Sequence, residues 1–255
     1  MVDLFDIAGK TALVTGSTRG IGLALATGLS ERGARVIIHG QDVERAEAVA
    51  RRLADSTGAQ TFSLGFDVTQ ADAVTYGIDD IEHRVGPIDI LVNNAGIQRR
   101  TAFTEFAFSD WNDLVATNLT SAFLVGQAVA RGMTHRGHGK IINIGSVQSS
   151  LGRPGIAAYA ATKGGIAMLT KGMCADLAPL GIQVNCLAPG YFSTELTKAL
   201  VADETFSAWV RSRTPAGRWG EIDDLVGTLI FFASDASNFV NGQVLYVDGG
   251  MTAVV

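Results

Sequence analysis

The sequence predicts an α/β protein built on a doubly wound, parallel seven-stranded sheet with helices on both faces. Short runs rich in β-branched residues alternate with longer segments of helical periodicity along the 255 residues, and this alternation is typical of successive βαβ units. The short runs are almost continuously apolar, as strands are when a sheet is covered on both faces. Since 30 glycines and five prolines occur without a low-complexity tract, they indicate tight turns in an ordered chain. We expect a single domain that spans residues 1–255.

The predicted strands are separated by helical segments. In chain order the strands are residues 11–15, 35–39, 61–64, 88–92, 140–144, 183–187 and 243–247. Their connections should be right-handed, and ligands of such sheets bind beyond the carboxyl ends of the strands. Polar or glycine-rich segments occupy several of these ends, at residues 15–16, 67, 93–96, 146 and 189–190. We expect them to converge on one crevice, and we expect the longer excursion at residues 191–218 to form a lid over it.

Composition excludes several classes of partner. The chain is 47% hydrophobic and 18% charged, with a net charge of −5, which allows a large core. It has no Lys/Arg cluster long enough to follow a nucleic-acid backbone. No run of about 18 apolar residues occurs, and the first residues lack a basic segment followed by an apolar one, so we expect a cytoplasmic protein without a membrane anchor. Cys174 and Cys186 lack CxxC or metal-ligand spacing, and we expect small buried residues and no metal site.

A glycine-rich turn directly after the first strand predicts a nucleotide site. Residues 15–22 read Thr-Gly-Ser-Thr-Arg-Gly-Ile-Gly, and a helical pattern follows as far as Arg32. Glycines let the backbone approach a pyrophosphate closely, and the free N–H groups of the following helix bind its charge. The candidate cofactor residues of the turn are Gly16, Ser17, Thr18, Arg19, Gly20, Ile21 and Gly22. Because ordinary βα connections also contain such turns, the motif is weak evidence by itself.

The end of the second strand bears on the choice of coenzyme. An NAD-preferring site commonly places Asp or Glu there, on the ribose hydroxyls. This chain has Gly40, Gln41 and then Asp42, so position 40 carries no carboxylate to repel a 2′-phosphate, while Arg19 offers a positive charge. NADP(H) is favoured, and NAD(H) stays open if Asp42 rotates inward. Further groups for an adenine or ribose are Asp67, Val68, Asn94, Ala95 and Gly96, in two segments that could each simply cap a helix.

Tyr159 and Lys163 lie four residues apart in a helical pattern, and Ser146 ends an apolar run thirteen residues earlier. Positions i and i+4 share one helix face, so the phenol and the ammonium can occupy one pocket. A nearby cation favours the tyrosinate, and each unit by which it lowers the tyrosine pKa represents about 1.4 kcal/mol. Ser146 is placed to hold a substrate oxygen. The alternative is a simple pair on the surface of a helix.

The combination of motifs resembles the classical short-chain dehydrogenase/reductase family, whose fold is of the Rossmann type. The match runs from about Gly9 to Gly250, with the segments in family order: residues 15–22, 93–96, Asn118, Ser146, Tyr159 with Lys163, and Pro189-Gly190 followed by Thr194. The resemblance implies that Tyr159 is the general acid/base and that Ser146 orients the substrate oxygen. It implies that Lys163 binds the nicotinamide ribose and lowers the tyrosine pKa.

The same resemblance implies roles for two further residues. Asn118 would hold a water that continues the proton relay, where the alternative is a polar residue that kinks a helix. Thr194, after Pro189 and Gly190, would bind the carboxamide of the nicotinamide. Within the family, several segments are similar to members that act on sugar acids, among them residues 95–100 and 117–125. Phe192-Ser193 before Thr194 departs from these members and could alter substrate choice.

Charged side chains near the predicted crevice point to an acidic substrate. Arg99 and Arg100 follow the Asn-Ala-Gly turn and Arg153 follows the serine loop, and a guanidinium can bind a carboxylate with two hydrogen bonds. The alternative is that each arginine is solvated in its loop. Gln148 is a candidate for a substrate hydroxyl, and Tyr191 is a further candidate contact. A fatty-acyl substrate would require more apolar walls.

We therefore predict an oxidoreductase that transfers a hydride between a nicotinamide cofactor and a sugar acid of the 5-ketogluconate type. The alternatives are a 3-oxoacyl thioester reductase, a polyol or 3-hydroxy-acid dehydrogenase, and a non-enzymatic redox regulator on the same fold. A regulator has no chemical need for the complete Asn-Ser-Tyr-Lys set. Family likeness and the uncapped apolar tail at residues 251–255 predict a homotetramer.

Overall fold

The computed structural model describes residues 3–194 and 197–255, and its centre is one parallel sheet. The strands are β1 Thr11–Val14, β2 Arg35–Gly40, β3 Thr61–Gly65, β4 Ile90–Asn93, β5 Gly139–Ile144, β6 Ile182–Pro189 and β7 Val244–Val247. They lie side by side in the order β3-β2-β1-β4-β5-β6-β7, and each neighbouring pair is parallel. The predicted fold class is confirmed.

Helices connect the strands. They are α1 Gly20–Glu31, α2 Val43–Thr57, α3 Ala71–Val85, α4 Phe108–Val115, α5 Ser121–Arg136, α6 Ala157–Leu177, α7 Lys198–Ala202, α8 Glu204–Arg213 and α9 Asp223–Ala233. A π-helical turn, Ala116–Thr120, lies between α4 and α5. The predicted lid, residues 191–218, includes α7 and α8, but residues 195 and 196 lie outside the described residues.

The core consists of two apolar layers, one on each face of the sheet. Side chains alternate between the faces along each strand, so Ala12 and Val14 of β1 pack with α1, α2 and α9, whereas Leu13 packs with α3 and α5. Because both layers must be filled, no position of β1 remains exposed to solvent. This two-sided burial explains the continuous apolar runs in the sequence.

The strand order reverses direction at β1, whose neighbours are β2 and β4. The loops after β1 and β4 therefore leave the sheet towards opposite sides and open a crevice beyond their carboxyl ends. β6 runs to Pro189, two residues beyond its predicted end, because it pairs with β7 along that length. No helix in the described parts of the chain is long and apolar enough to cross a membrane.

Candidate active site

The glycine turn after β1 leaves room for a bound anion. Gly16 and Gly20 have φ of +62° and +59°, a left-handed conformation that favours glycine. A Cβ at Gly22 would collide with the Asn94 side chain and lie 2.5 Å from the carbonyl oxygen of Gly16. No side chain caps the start of α1, where Arg19 is the N-cap residue. These features fit a pyrophosphate held by backbone N–H groups.

The Asn-Asn-Ala-Gly segment after β4 holds the glycine turn in place. The Asn94 side chain donates to the carbonyl oxygens of Thr15 and Gly16 at 2.9 and 3.2 Å. In return, Thr15 Oγ1 accepts from the backbone N–H groups of Asn94 and Ala95. The amide of Asn94 is therefore occupied within the protein, and Thr15, absent from the sequence-based site, is one of the residues that shape the turn.

His39 is a second residue of the nucleotide site that sequence reasoning missed. Its Nδ1 accepts from Gly16 N at 3.2 Å, and its backbone exchanges two hydrogen bonds with Ser17. The ring lies 4.3 Å from the ring of Phe66, and burial lowers the pKa of His39 to about 4. The imidazole is therefore a neutral acceptor that anchors the first glycine. The signal in the sequence is a histidine inside an otherwise apolar strand.

The residues that bear on coenzyme choice lie at the end of β2. Asp42 caps α2 by accepting from Arg45 N at 3.0 Å, so its carboxylate does not rotate inward as the NAD(H) alternative required. Gln41 and Arg19 are exposed, and the Cα of Gly40 faces Thr18. A 2′-phosphate would therefore meet no carboxylate at position 40.

Asp67 and Val68 follow β3, at the place predicted for the adenine. Val68 is buried in the core, so its backbone is the part left for a ligand. Desolvation raises the pKa of Asp67, but hydrogen bonds from the backbone and hydroxyl of Thr69 outweigh it and lower the pKa. Asp67 Oδ1 accepts both bonds, at 2.9 and 2.8 Å. The carboxylate is thus ionised and fixed in direction.

Tyr159 and Lys163 lie on α6 as predicted, with Ser146 in the loop that precedes it. Lys163 is 6% exposed and its Nζ donates to the carbonyl oxygen of Ile144 at 2.7 Å. Its Nζ lies 5.8 Å from the centroid of the Tyr159 ring. Ser149, missed by the sequence analysis, joins the two segments: its hydroxyl donates to Lys163 O at 2.8 Å and accepts from Ser146 N at 3.2 Å.

The pKa of Tyr159 is raised above its ordinary value, whereas the sequence predicted a lowered pKa. Burial raises this pKa, while the hydroxyl of Ser146 and the charge of Arg100 act against the rise. Burial also lowers the pKa of Lys163 to about 8. The net shift is upward, not downward as the sequence predicted, because desolvation of the phenol outweighs the opposing effects of Ser146 and Arg100. The phenol is therefore protonated and suited to donate a proton.

Asn118 is buried in the π-helical turn between α4 and α5. Its Oδ1 accepts from Ile97 N at 2.8 Å, and its Nδ2 donates to Ile97 O at 2.9 Å and to the Thr162 hydroxyl at 3.3 Å. Both ends of the amide are thus engaged by protein groups, and they fix the loop after β4 to α6. A water-binding role for this residue would fall to its backbone carbonyl, which a π-helical turn can free from the helix ladder.

The segment predicted to hold the nicotinamide follows β6. A Cβ at Gly190 would lie 2.8 Å from the Asp248 backbone, so the chain requires glycine there. The hydroxyl of Thr194 lies 3.0 Å from that of Thr197, and Thr194 N donates to Thr197 Oγ1 at 2.8 Å. Thr197 therefore sets the orientation of Thr194.

The structure separates the three candidate arginines. Arg99 Nε lies 3.4 Å from Asp110 Oδ1, and both side chains are largely exposed. The charge of Arg100 acts on both Tyr159 and Tyr191, although its guanidinium also donates to Gln98 at 3.2 Å. Arg100 therefore borders the two tyrosines, as predicted for a residue of the crevice.

Arg153 and Gln148 carry buried polar atoms without protein partners. Arg153 lies over the ring of Phe206 at 5.7 Å and interacts with the Tyr191 hydroxyl, yet its Nε is buried without a hydrogen bond. Gln148 is 9% exposed, and its Oε1 is likewise unpaired. Buried polar groups are nearly always satisfied, so these two atoms are candidates for hydrogen bonds to a ligand.

An aromatic cluster packs Tyr191, the first residue of the predicted lid, against α8 and Trp219. Its ring meets the edges of Phe206, Trp209 and Trp219 at centroid distances of 5.7, 5.7 and 5.8 Å. Trp219 Nε1 donates to the Ser207 hydroxyl at 3.1 Å. Only Tyr191 of this cluster was predicted as a site residue. In the described part of the chain no cluster of three or more potential metal ligands occurs.

Comparison with known proteins places the chain among reductases. A family model described as enoyl-(acyl carrier protein) reductase, of the short-chain type, matches residues 16–252. Gluconate 5-dehydrogenase of Gluconobacter oxydans is 56% identical over 98% of this chain and 97% of its own. 5-Keto-D-gluconate 5-reductase of Escherichia coli K12 is 54% identical over both full lengths.

A solved structure is similar throughout. Gluconate 5-dehydrogenase of Burkholderia cenocepacia, in complex with NADP and tartrate, is 58% identical, has a TM-score of 0.97 and is matched over 99% of each chain.

Proposed function

The chain belongs to the short-chain dehydrogenase/reductase family, and on that premise we propose that it transfers a hydride between NADP(H) and a sugar acid of the gluconate/5-ketogluconate type. The predictions of family and of an NAD(P)-dependent enzyme are confirmed. The relatives named above act on gluconate or 5-ketogluconate, and one binds NADP. NADP(H) is also favoured by the absence of a carboxylate at Gly40.

The unpaired atoms of Arg153 and Gln148 are the observation that carries the substrate class. A sugar acid offers a carboxylate for the guanidinium and a hydroxyl for the amide oxygen, so it satisfies both at once. The acyl chain of a 3-oxoacyl thioester would leave both atoms buried and unpaired, at a cost of about 1–3 kcal/mol each. The tartrate bound by the Burkholderia relative is itself a hydroxylated acid.

In the direction of reduction, the proton follows from the state of Tyr159. Burial keeps the phenol protonated, so its hydroxyl can give a proton to the substrate carbonyl oxygen while Ser146 donates a hydrogen bond to that oxygen. NADP(H), when bound, supplies the hydride in reduction and accepts it in oxidation. Lys163, whose Nζ donates to the carbonyl oxygen of Ile144, is positioned to bind a ribose hydroxyl.

The cofactor residues remain part of the proposal. The uncapped start of α1 and the turn from Gly16 to Gly22 would hold the pyrophosphate. Arg19 and Gln41 would face the 2′-phosphate. The remaining residues that we assign to the adenine, the riboses and the nicotinamide are Asp67, Val68, Asn94, Ala95, Gly96, Pro189, Gly190 and Thr194. The lid at residues 191–218 is also a proposal, supported by the contacts that Arg153 of the loop after Ser146 makes with Phe206 and Tyr191.

Steady-state kinetics on matched substrates test the substrate class. The wild type should prefer 5-ketogluconate to an uncharged ketose of equal length. Arg153→Ala should lower kcat/KM for the acid roughly ten- to hundredfold, because a charge-assisted hydrogen bond is worth about 1.5–3 kcal/mol. Its effect on the neutral ketose should be much smaller.

Arg99→Ala is the matched control, since Arg99 pairs with Asp110. This substitution should leave the preference for the acid over the neutral ketose unchanged. If Arg153→Ala lowers kcat/KM equally for both substrates, the carboxylate assignment fails. If the wild type shows no preference for the acid at all, the sugar-acid proposal itself fails.

A homotetramer and a cytoplasmic location complete the proposal. The exposed apolar side chains Phe108, Trp111, Phe123 and Leu245 on α4, α5 and β7, together with the tail residues Val254 and Val255, offer surfaces for subunit contacts. Met251, by contrast, is already buried within the protomer. A cytoplasmic location is supported by the cofactor, because NADP(H) has to be regenerated by other enzymes that share its pool.

A further inference from the structure

Lys140 is a buried amine that the proposed reaction does not use. It is the second residue of β5, at the amino-terminal ends of the strands, whereas Tyr159 lies on α6 at the other end of the sheet. The side chain is 8% exposed. Its Nζ donates to Asn238 Oδ1 at 2.7 Å and to Ser237 Oγ at 3.4 Å. No ion pair joins it to a carboxylate within residues 3–194 and 197–255. Its hydrogen-bond partners are therefore neutral.

A cavity of about 310 Å³ opens beside this amine. It is lined by Lys10, Asp89, His138, Lys140, Asp235 and Asn238, among others. Lys140 itself lines this cavity, and the charges of two other lining residues, Asp235 and Lys10, act on its amine. Since a water takes about 30 Å³ of liquid volume, the space admits a small organic molecule.

The surroundings of Lys140 favour its neutral form. Desolvation lowers its pKa to about 8, the charge of Lys10 acts in the same direction, and that of Asp235 acts against it. Asp89 accepts from Thr11 N, so its carboxylate is directed at β1. His138 is exposed at the mouth of the cavity.

We propose that Lys140 is a site of covalent acylation, where its amine accepts the acyl group of small acyl phosphates that enter this cavity. The amine nitrogen attacks the acyl carbonyl carbon, the C–N bond forms, and the C–O bond to phosphorus breaks. Inorganic phosphate leaves with the electron pair, and the amine proton passes to solvent. The product is a neutral amide whose N–H can keep the hydrogen bond to Asn238.

Competition among the five lysines of the chain tests the proposal. The intact protein is treated with acetyl phosphate at pH 7.5, and acetylation at each lysine is followed by peptide mass spectrometry. A pKa of about 8 leaves roughly a quarter of the amine neutral, against roughly a thousandth for an exposed lysine near 10.4. Nucleophilicity falls with pKa by about tenfold over this range if amines follow the dependence of thiols. Lys140 should therefore react about tenfold faster than the exposed Lys171 and Lys198.

Two substitutions test the electrostatic origin of this reactivity. Asn238→Asp places a carboxylate against Nζ and should slow acetylation of Lys140 about fivefold or more, with Lys171 unchanged. Asp235→Asn removes a carboxylate from an exposed position and should accelerate acetylation of Lys140. This second variant still tests the proposal if Asn238→Asp does not fold. Lys140→Arg should abolish the label on that peptide alone. A wild-type rate at Lys140 no faster than at Lys171 and Lys198 overturns the proposal, as does indifference to both substitutions.

Discussion

The buried histidine beside the glycine turn makes the stability of the protein depend on pH. The pKa of His39 is about 4 in the folded chain, against about 6.5 when the side chain is free in water. Below pH 6.5 the imidazole of His39 becomes protonated in the unfolded chain, whereas in the folded chain it stays neutral until about pH 4. The part of the free energy of unfolding that depends on neutral His39 is thus fully present above pH 6.5 and is lost as the pH falls towards 4.

The size of the effect follows from the two pKa values. Between pH 7 and pH 5, linkage predicts a loss of about 2 kcal/mol in the free energy of unfolding from this one residue. Other shifted groups contribute little in this window. Lys140 and Lys163, with pKa values of about 8, are already protonated, and Asp224, with a pKa of about 2, is still ionised.

Urea unfolding at pH 7 and pH 5, at one fixed protein concentration, measures this difference. His39→Asn keeps an acceptor for Gly16 N but cannot titrate, so it should lower stability at both pH values and remove about 2 kcal/mol from the difference between them. The control is His138→Asn, since His138 is exposed. If His39→Asn retains the full wild-type difference, the neutral buried imidazole is not its source.

Three further predictions concern the reaction and the assembly. Tyr159→Phe should lower kcat by roughly 10²–10⁴-fold while the NADP dissociation constant, measured by fluorescence titration, stays near the wild-type value; wild-type turnover would contradict the role of the phenol. Gly40→Asp should shift the ratio of kcat/KM values towards NAD(H) by charge repulsion. A Cβ there lies 2.7 Å from Thr18 Cγ2, so Gly40→Ala is needed as the steric control, and an equal shift in both variants would exclude a charge effect. Light scattering should give the mass of four chains, and a stable monomer at micromolar concentration would contradict the tetramer.

Local patterns were enough to predict the fold and the order of the motifs. Apolar runs that alternate with helical periods can be satisfied only by a sheet buried on both faces, and β1 shows this in its alternation between two cores. The glycine turn after β1 could be predicted from its position between a strand and a helix, and the structure then shows Gly16 and Gly20 in the left-handed conformation that favours glycine. Tyr159 and Lys163 could be placed together because helix geometry relates positions i and i+4.

Contacts between distant segments could not be derived in this way. His39 meets Gly16, and Ser149 joins Ser146 to α6, through hydrogen bonds that no local period encodes. From the sequence, Arg99, Arg100 and Arg153 were equivalent candidates for binding a substrate carboxylate. Only the structure shows that Asp110 engages Arg99, whereas Arg153 keeps an unpaired buried nitrogen in the crevice.

The sequence by itself determined the chain's βαβ architecture, because alternating apolar runs and helical periods depend on short-range geometry. It also predicted the nucleotide turn and an acid/base role for Tyr159 from residue chemistry. The tertiary structure alone decided the direction in which the pKa of Tyr159 shifts. The sign of the Tyr159 shift is a balance between desolvation, which depends on every segment packed around the phenol, and the charge of neighbours such as Arg100. Burial is a property of the whole packed chain, so a spacing of four residues could predict a nearby lysine but not which effect would prevail.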